Sequence, residues 1–414
     1  MKLSQLAFKP LNNPPSDADT KNHQLLVQAG YVRQLMAGVY SYTPLGLRVL
    51  NKIRNVIRTQ MNQVGGQEIL MPMLHPKQNW LITGGWHNID VLFKIQSRTK
   101  REYALGQSHE EVITPLAKEV IKSYRDLPLA MYQIHWKFRD ELRAKSGILR
   151  GREFEMKDMY SWHETQEDFE RFYEQVKKAY IKAYKQVGLT AKVTEASGGS
   201  FSQKISYEFM VLTDAGEDDI FYCESCDYCV NKEITKVKEG DICPKCQASK
   251  LKLARASEVG NVFDLGTKYT QDFELTYTNQ EGEKKHPIMG CYGWGTTRTM
   301  GVIVEKYSDQ NGIIWPQAVA PFDAHLININ MDQSQAENLY QQLQSQGVEL
   351  LWDDRENESA GSKFAAADLL GIPFRLIISE KNKQLVEVKN RSTGEIQLVE
   401  VKQLAQLIKD SSNS

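Results

Sequence analysis

Seven basic side chains, Lys137, Arg139, Arg143, Lys145, Arg150, Arg152 and Lys157, fall within the segment from Trp136 to Asp158. Arginines at fixed strand positions suit bidentate recognition of phosphate or carboxylate. Phe154, two residues after Arg152, shares its face in an extended segment and can stack on a planar ring. The plain alternative is a solvated hairpin laced with Arg–Glu pairs, because charge runs usually lie at the surface. A second candidate is Gly290-Cys-Tyr-Gly-Trp-Gly-Thr-Thr-Arg298. Its glycines at 290, 293 and 295 let backbone approach a ligand, and Arg298 enters the first turn of a following helix. It matches neither the GxGxxG nor the P-loop spacing. The third is Gly106-Gln-Ser108-His109-Glu110-Glu111. In an extended strand Ser108 and Glu110 share a face and His109 points away, which disfavours a catalytic triad. A hydroxyl beside a carboxylate makes a cradle for an ammonium or imino group; the alternative is a helix cap.

Cys223-Glu-Ser-Cys226 and Cys243-Pro-Lys-Cys246 are two CxxC knuckles, the spacing of a four-thiolate zinc ribbon. Four sulfurs leave no open coordination position, so the expected role is structural. Cys229 follows the first knuckle closely enough to compete as a ligand, and Cys291 stands apart in the glycine-rich stretch.

These residues need elements to hold them. Leu129–Phe138 and Arg152–Trp162 read as an antiparallel hairpin with a polar loop at 140–151. Residues 24–37 read as a helix capped by Gly38, and a longer helix follows Pro44, with Val49, Leu50, Ile53, Val56, Ile57 and Met61 at helical spacing. Glu68 to Leu74 reads as an apolar strand interrupted by Pro72. Helices are expected at 114–124 and 166–187, with Gly188 closing the second. Strands are expected at 259–265 and 272–278, and Gly290 to Glu305 as a glycine-rich turn into a helix. After Pro321 five strands (324–330, 348–352, 374–380, 385–390, 395–401) alternate with helices at 333–346, 362–370 and 402–410, a separate small α/β domain. The last residues, DSSNS, read as a disordered tail.

Pro72, the Phe138-Arg139-Asp-Glu141 hairpin and the glycine-rich unit with Arg298 resemble, in order, the three motifs of class II aminoacyl-tRNA synthetases. More closely the chain resembles the bacterial-type prolyl-tRNA synthetases. The matching stretches are HQLLVQAGYVRQLMAGVYSYTPLG, GQSHEEVITPL, KFRDELRAKSGILRGREFEMKDMYSWH, GEDDIFYC, EVGNVFDLGTKY, MGCYGWGTTR and DDRENESAGSKFAAADLLGIP, covering nearly the whole length. The resemblance implies an α+β fold: a class II catalytic domain with an antiparallel sheet flanked by helices (1–220 and 251–318), a ribbon insertion at 221–250 and a C-terminal anticodon-binding domain at 319–414.

It implies roles as well. Arg139 contacts the α-phosphate of ATP and Glu141 the adenine side. Arg150 reaches the terminal phosphates, while Phe154 and Arg298 cover the two faces of adenine. Arg139 and Arg298 are thereby the catalytic pair. Ser108 and Glu110 hold the imino nitrogen of L-proline, with Cys291 and Asp158 also in the substrate pocket. Arg143 meets the tRNA acceptor stem, and Asp354, Arg355 and Lys363 face RNA. ATP enters with Mg²⁺, the partner is tRNA(Pro), and a homodimer is built around the first motif. The chain departs from the family pattern at Ser108, Ser202-Gln203, Tyr207, Asn261 and Trp294, positions expected near the amino-acid pocket. It also lacks the long editing domain that many members carry, so clearance of mischarged tRNA falls to a separate trans-editing factor or is not done. The competing readings are a paralogue that activates another small amino acid or serves another acceptor, and a ribbon-bearing RNA-binding protein with a dead core.

The composition fits an enzyme more readily than a nucleic-acid coat. Lys and Arg total 51 against 52 Asp and Glu, a formal charge of −1 over 414 residues. A protein that held RNA through its whole surface would be more basic, whereas local patches remain compatible with neutrality. No run approaches the ~18–20 apolar residues of a membrane helix, and the N-terminus makes a poor signal peptide, so a cytoplasmic location is expected.

Overall fold

The structure, a computed structural model, describes residues 1–199 and 204–410. Ser202, Gln203 and residues 411–414 of the expected tail lie outside the described residues. The chain forms two compact units, one of Ala37–Val39 with Arg54–Val302, the other of Met1–Met36, Tyr40–Ile53 and Ile303–Ser414. No helix among the described residues is long and apolar enough to cross a membrane.

The first unit is built on a nine-stranded sheet. In chain order its strands are β1 (Gln67–Glu68), β2 (Leu129–Phe138), β3 (Glu153–His163), β4 (Lys192–Ser197), β5 (Ile205–Leu212), β6 (Asp218–Tyr222), β7 (Cys229–Asn231), β8 (Lys252–Gly266) and β9 (Ile288–Gly295). They lie in the order β5-β4-β7-β6-β8-β9-β3-β2-β1, and β5 pairs again with β8, which closes five strands into a ring. The expected hairpin is the pair β2–β3, in register from Leu129↔Trp162 to Phe138↔Glu153. One sheet face packs on the helix Gln166–Gln186, whose Phe169, Tyr173, Val176, Tyr180 and Ala183 are buried at helical spacing. Thr165 caps that helix by accepting the Asp168 N–H at 3.2 Å, and Gly188, at φ +88°, ends it.

Four expectations need correction here. The glycine-rich stretch is a central strand rather than a turn, because β9 is paired on both sides, with β8 and β3. Glu110 is the first residue of a helix, Glu110–Val120, so the extended geometry assumed for Ser108 and Glu110 does not hold. Glu68 to Leu74 is not one strand: pairing stops after Glu68 and resumes at Leu74, with Pro72 in the gap. Only Tyr277–Thr278 is strand in the 272–278 stretch, since a short helix, Lys268–Asp272, runs into it.

In the second unit Ala324–Ile329 is central, parallel to Leu350–Asp353 and to Phe374–Ser379; Leu385–Asn390 and Ile396–Glu400 extend the sheet antiparallel. Helices Gln333–Ser345, Ala360–Leu370 and Val401–Asp410 accompany these strands, close to the expected spans. Leu326, Leu350, Leu376, Val388 and Leu404 form part of its core. N-terminal residues join this unit: the Met1 ammonium donates to the Leu350 carbonyl at 2.8 Å and Tyr31 Oη to that of Leu370 at 2.7 Å. The helix expected at 24–37 stops at Gln28. Gly30 takes φ +81°, Val32–Met36 is a strand, and Gly38 sits in a turn at φ +75°.

Candidate active site

Strand alternation decides which side chains meet. On β3, Phe154, Met156 and Asp158 face one way; on β9, Cys291, Gly293 and Gly295 face the same way. They line a cavity of about 290 Å³ together with Ser108, Glu110, Arg139, Glu141, Arg150 and Arg298. All nine residues expected to hold ATP or the amino acid therefore line one cavity. A Cβ built on Gly293 meets Met156 Sδ at 3.6 Å, an ordinary contact. Protein packing does not demand that glycine, so its effect is to leave cavity space open for a ligand.

The basic end is organised by Arg139, whose Cζ lies 5.1 Å from the Phe154 ring centroid. Burial, then the nearby Arg298 cation, lowers the Arg139 pKa, and its buried Nε has no hydrogen-bond partner. A desolvated cation next to a second cation is a receptor for an anion. Arg298 is oriented by backbone, its Nε donating to the Leu149 carbonyl and its Nη1 to that of Glu258, both at 2.8 Å. Arg150 is gripped by carboxylates: Glu141 Oε2 accepts from Nη2 at 2.8 Å and from Nε at 3.1 Å, and Glu217 Oε2 from Nη1 at 3.1 Å. Arg143 is exposed in the loop between the two strands and does not line the cavity.

The other end holds two carboxylates in opposite electrostatic settings. Asp158 is buried, and Lys137, also buried, places Nζ 2.7 Å from its Oδ1. Gln133 Nε2 and Tyr160 Oη each donate to Asp158 Oδ2 at 3.0 Å. Burial raises the Asp158 pKa, but Lys137, then His109 and the Gln133 donor, bring it below the ordinary carboxylate value. Glu110 has no such cation. Burial pushes its pKa up against the opposing effects of the Ser108 hydroxyl and of Cys291, whose thiol donates to Oε1 at 3.1 Å.

Behind this end His75 and His109 meet edge to face, centroids 4.7 Å apart, and both Nε2 atoms donate to the Pro72 carbonyl, at 3.1 and 3.2 Å. A carbonyl only accepts, so both rings carry the Nε2 proton. Burial, first among the causes, lowers His75 to about 4 and His109 to about 2. A folded value below the unfolded 6.5 gives stability that is full above pH 6.5 and lost as pH falls toward 4. Each histidine is expected to cost about 1.4 kcal/mol per pH unit in that window. Urea unfolding at pH 7 and pH 5 checks this: His75→Gln should flatten the decline, and an unchanged slope refutes it.

Two of the departures from the family pattern sit elsewhere than expected. Trp294 alternates away from the cavity and stacks on Tyr184 at 3.6 Å, and Tyr207 lies by Tyr173 and Lys177. Ser108 and Asn261 do line the cavity. In the second unit Arg355 pairs with Asp353 (Nη2 to Oδ2, 2.7 Å), Asp354 Oδ1 accepts the Ser4 N–H at 2.8 Å, and buried Lys363 donates to the Asn328 carbonyl at 3.0 Å. The residues that sequence reasoning overlooked are Lys137 and Gln133 as holders of Asp158, Met156 and Glu258 in the lining, and Glu217 on Arg150. Period-two alternation on β3 carried the signal for Met156; the others depend on pairing register.

The four knuckle sulfurs lie within 4.8 Å of one another, with Cys223–Cys246 and Cys226–Cys243 at 3.6 Å. A tetrahedral ion with Zn–S bonds of ~2.3 Å asks for sulfurs about 3.8 Å apart, so the donor set and spacing fit zinc. They are far beyond the ~2.05 Å of a disulfide. Cys229 is turned away, its Sγ 3.1 Å from Thr194 Oγ1, and does not join the cluster.

Comparison with known proteins agrees with this geometry. Residues 93–307 match the tRNA synthetase class II core domain (G, H, P, S and T), and 319–411 match an anticodon binding domain. The chain is 34% identical to a proline–tRNA ligase of Bacillus cytotoxicus over 99% of its own length and 100% of the relative's. It is 33% identical to that of Caldicellulosiruptor saccharolyticus, over 99% and 98%. The Bacillus alignment runs over 565 positions against 414 residues here, so that relative carries well over a hundred residues with no counterpart in this chain. The fold is similar to the crystal structure of prolyl-tRNA synthetase from Cryptosporidium parvum complexed with halofuginone and AMPPNP, with a TM-score of 0.79 at 18% identity, covering 95% of this chain and 77% of that one. On these matches the chain belongs to the proline–tRNA ligase family of class II tRNA synthetases.

Proposed function

We propose that the chain activates L-proline with ATP·Mg²⁺ and transfers it to the 3′ end of tRNA(Pro). The observation that carries this reading is the single cavity with cations at one end and a hydroxyl–carboxylate cradle at the other. In the first step a proline carboxylate oxygen attacks the α-phosphorus, the bond to the β-phosphate oxygen breaks, and pyrophosphate leaves with the electron pair. No protein base is needed, because the attacking carboxylate is already ionised. Arg139 and Arg298 stabilise the charge that builds on the α-phosphoryl oxygens, and Arg150 takes the departing phosphates. Phe154 and Arg298 cover the two faces of adenine and Glu141 holds its edge, so that Arg298 serves both the ring and the phosphoryl charge. Ser108, Glu110, Asp158 and Cys291 receive the imino end, Asp158 as the ionised partner for its positive charge. Transfer to the ribose hydroxyl then rests on positioning, with Arg143 on the acceptor stem and Asp354, Arg355 and Lys363 in the domain that reads the anticodon. Proline-dependent ATP–pyrophosphate exchange tests the reading, with alanine, cysteine and threonine compared; no exchange with proline refutes it.

The four cysteines bind one structural zinc ion. About one zinc per chain is expected by metal analysis, and Cys243→Ser should lower the unfolding midpoint rather than only the turnover. A metal-free protein of undiminished stability contradicts this. Exposed Leu70 and Leu74 flank Pro72 and support a homodimer formed around that segment. The missing editing domain leaves no cis hydrolysis: alanyl-tRNA(Pro) should persist with the purified chain, its clearance needing a trans-editing factor. A proline pocket discriminates weakly against a smaller apolar rival, by about 1–3 kcal/mol per methylene. A cytoplasmic location accords with these substrates.

A further inference from the structure

Outside the cavity, one surface feature stands against the neutrality of the chain. Strands Lys94–Gln96 and Glu102–Leu105 form a hairpin with the register Lys94↔Ala104 to Gln96↔Glu102. The eight residues from Lys94 to Arg101 hold four cations and no acid, in a chain of net charge −1. All four are exposed, and no ion pair among the described residues involves Arg98, Lys100 or Arg101. The tip is ordered by its own backbone: Ser97 N donates to the Arg101 carbonyl at 2.8 Å and Lys100 N to that of Ser97 at 2.9 Å. Lys100 takes φ +60°, the left-handed position that such a turn normally gives to glycine. A cation with no ion-pair partner among the described residues sits where glycine would close the turn without strain. Strain of that kind points to function when nothing in the fold uses the side chain.

The hairpin is also anchored beside the site. Gly106, directly after its second strand, accepts the Phe138 N–H at 3.0 Å, and Val91, just before its first, accepts the Asp140 N–H at 2.8 Å. These bonds tie its base to the start of the loop that carries Arg143. Its tip stands four residues from Leu105, about 13 Å at ~3.3 Å per residue.

We propose that the tip Arg98–Lys100–Arg101 is a second RNA contact, which grips backbone phosphates of the tRNA acceptor arm alongside the loop at 140–151. The inference rests on the ligase reading above. Contacts of this kind fix the position of the nucleic acid without reading its sequence, and they weaken as salt rises.

The experiment compares the unaltered chain with Arg98→Glu/Lys100→Gly/Arg101→Glu and with Lys100→Gly alone. In both variants proline-dependent exchange should stay within about twofold, the range of surface substitutions. KM for tRNA(Pro) transcript in charging should rise about tenfold in the triple variant and less in the single one, as each phosphate contact is lost. The slope of log KM against log salt should flatten by somewhat under one unit per contact removed. An unchanged KM at low salt overturns the proposal, as does an equal loss of exchange, which makes the hairpin part of the activation site. Lys100→Gly keeps the test open if the triple variant folds poorly, because glycine relieves the strained turn. Failure of exchange in the unaltered chain sinks the ligase reading instead, so the two failures are distinguishable.

Discussion

Replacement of Arg139 by alanine should reduce proline-dependent ATP–pyrophosphate exchange about 1,000-fold, roughly 4 kcal/mol of transition-state stabilisation. The expectation comes from where the guanidinium sits. It is half-buried against Phe154, feels the Arg298 charge more than any other, and keeps a buried Nε without a partner among the described residues. Such a group gains little from the empty protein and much from a phosphoryl oxygen that acquires charge. Arg139→Lys should recover only part of the rate, because an ammonium replaces a planar fork by a point charge. Arg143→Ala is the contrasting experiment: exchange within about twofold, as for other exposed side chains, with slower charging of tRNA. Equal losses of exchange in both variants would show that the two arginines do not divide the work.

Lys137→Met should destabilise the protein by about 3–5 kcal/mol at pH 7, the cost of stranding a buried charge. Lys137 and Asp158 are both excluded from water, and the 2.7 Å contact between them is the main compensation for either. Burial lowers the Lys137 pKa, and the charge and hydrogen bond of Asp158 oppose that shift. The sign with pH follows. In the unaltered chain the Asp158 pKa is lowered, so its contribution is present above the unfolded value of about 4 and lost below it. In Lys137→Met burial is opposed by the Gln133 and Tyr160 hydrogen bonds without the Lys137 charge, the pKa rises, and the stability deficit should shrink as pH falls toward 4. Lys137→Met/Asp158→Leu should regain most of the stability and none of the proline binding. A deficit under about 1 kcal/mol that does not vary with pH contradicts this account.

The elements with a clear period were legible in the sequence. The β2–β3 hairpin, the helix at Gln166–Gln186 and the α/β alternation after Pro321 carry their burial in their spacing. The glycine-rich strand was not legible: glycine signals turn by local propensity, and only pairing on both sides makes β9 a strand. The same holds for Val32–Met36, whose mixed sequence Val-Arg-Gln-Leu-Met fits helix and strand alike until Gly30 ends the preceding helix. In the site, residue types announced the phosphate-binding arginines. The placement of Trp294 on the far face depends on strand parity, and the pairing of Asp158 with Lys137 on register between strands. Neither is written in local composition.

The ring of strands made by the second pairing of β5 with β8 leaves the large sheet nearly without a margin. Its one open flank ends in β1, two residues long, and beyond it Ile69 takes the Tyr132 carbonyl while Gly106 takes the Phe138 amide. An unpaired strand margin is the usual template on which a foreign chain adds itself, in aggregation or in swapped assemblies. In the large sheet that route is narrowed by topology to the flank of β2. Association across the large sheet then falls mainly to side chains, and the exposed strand Lys94–Gln96 lies in a separate small sheet.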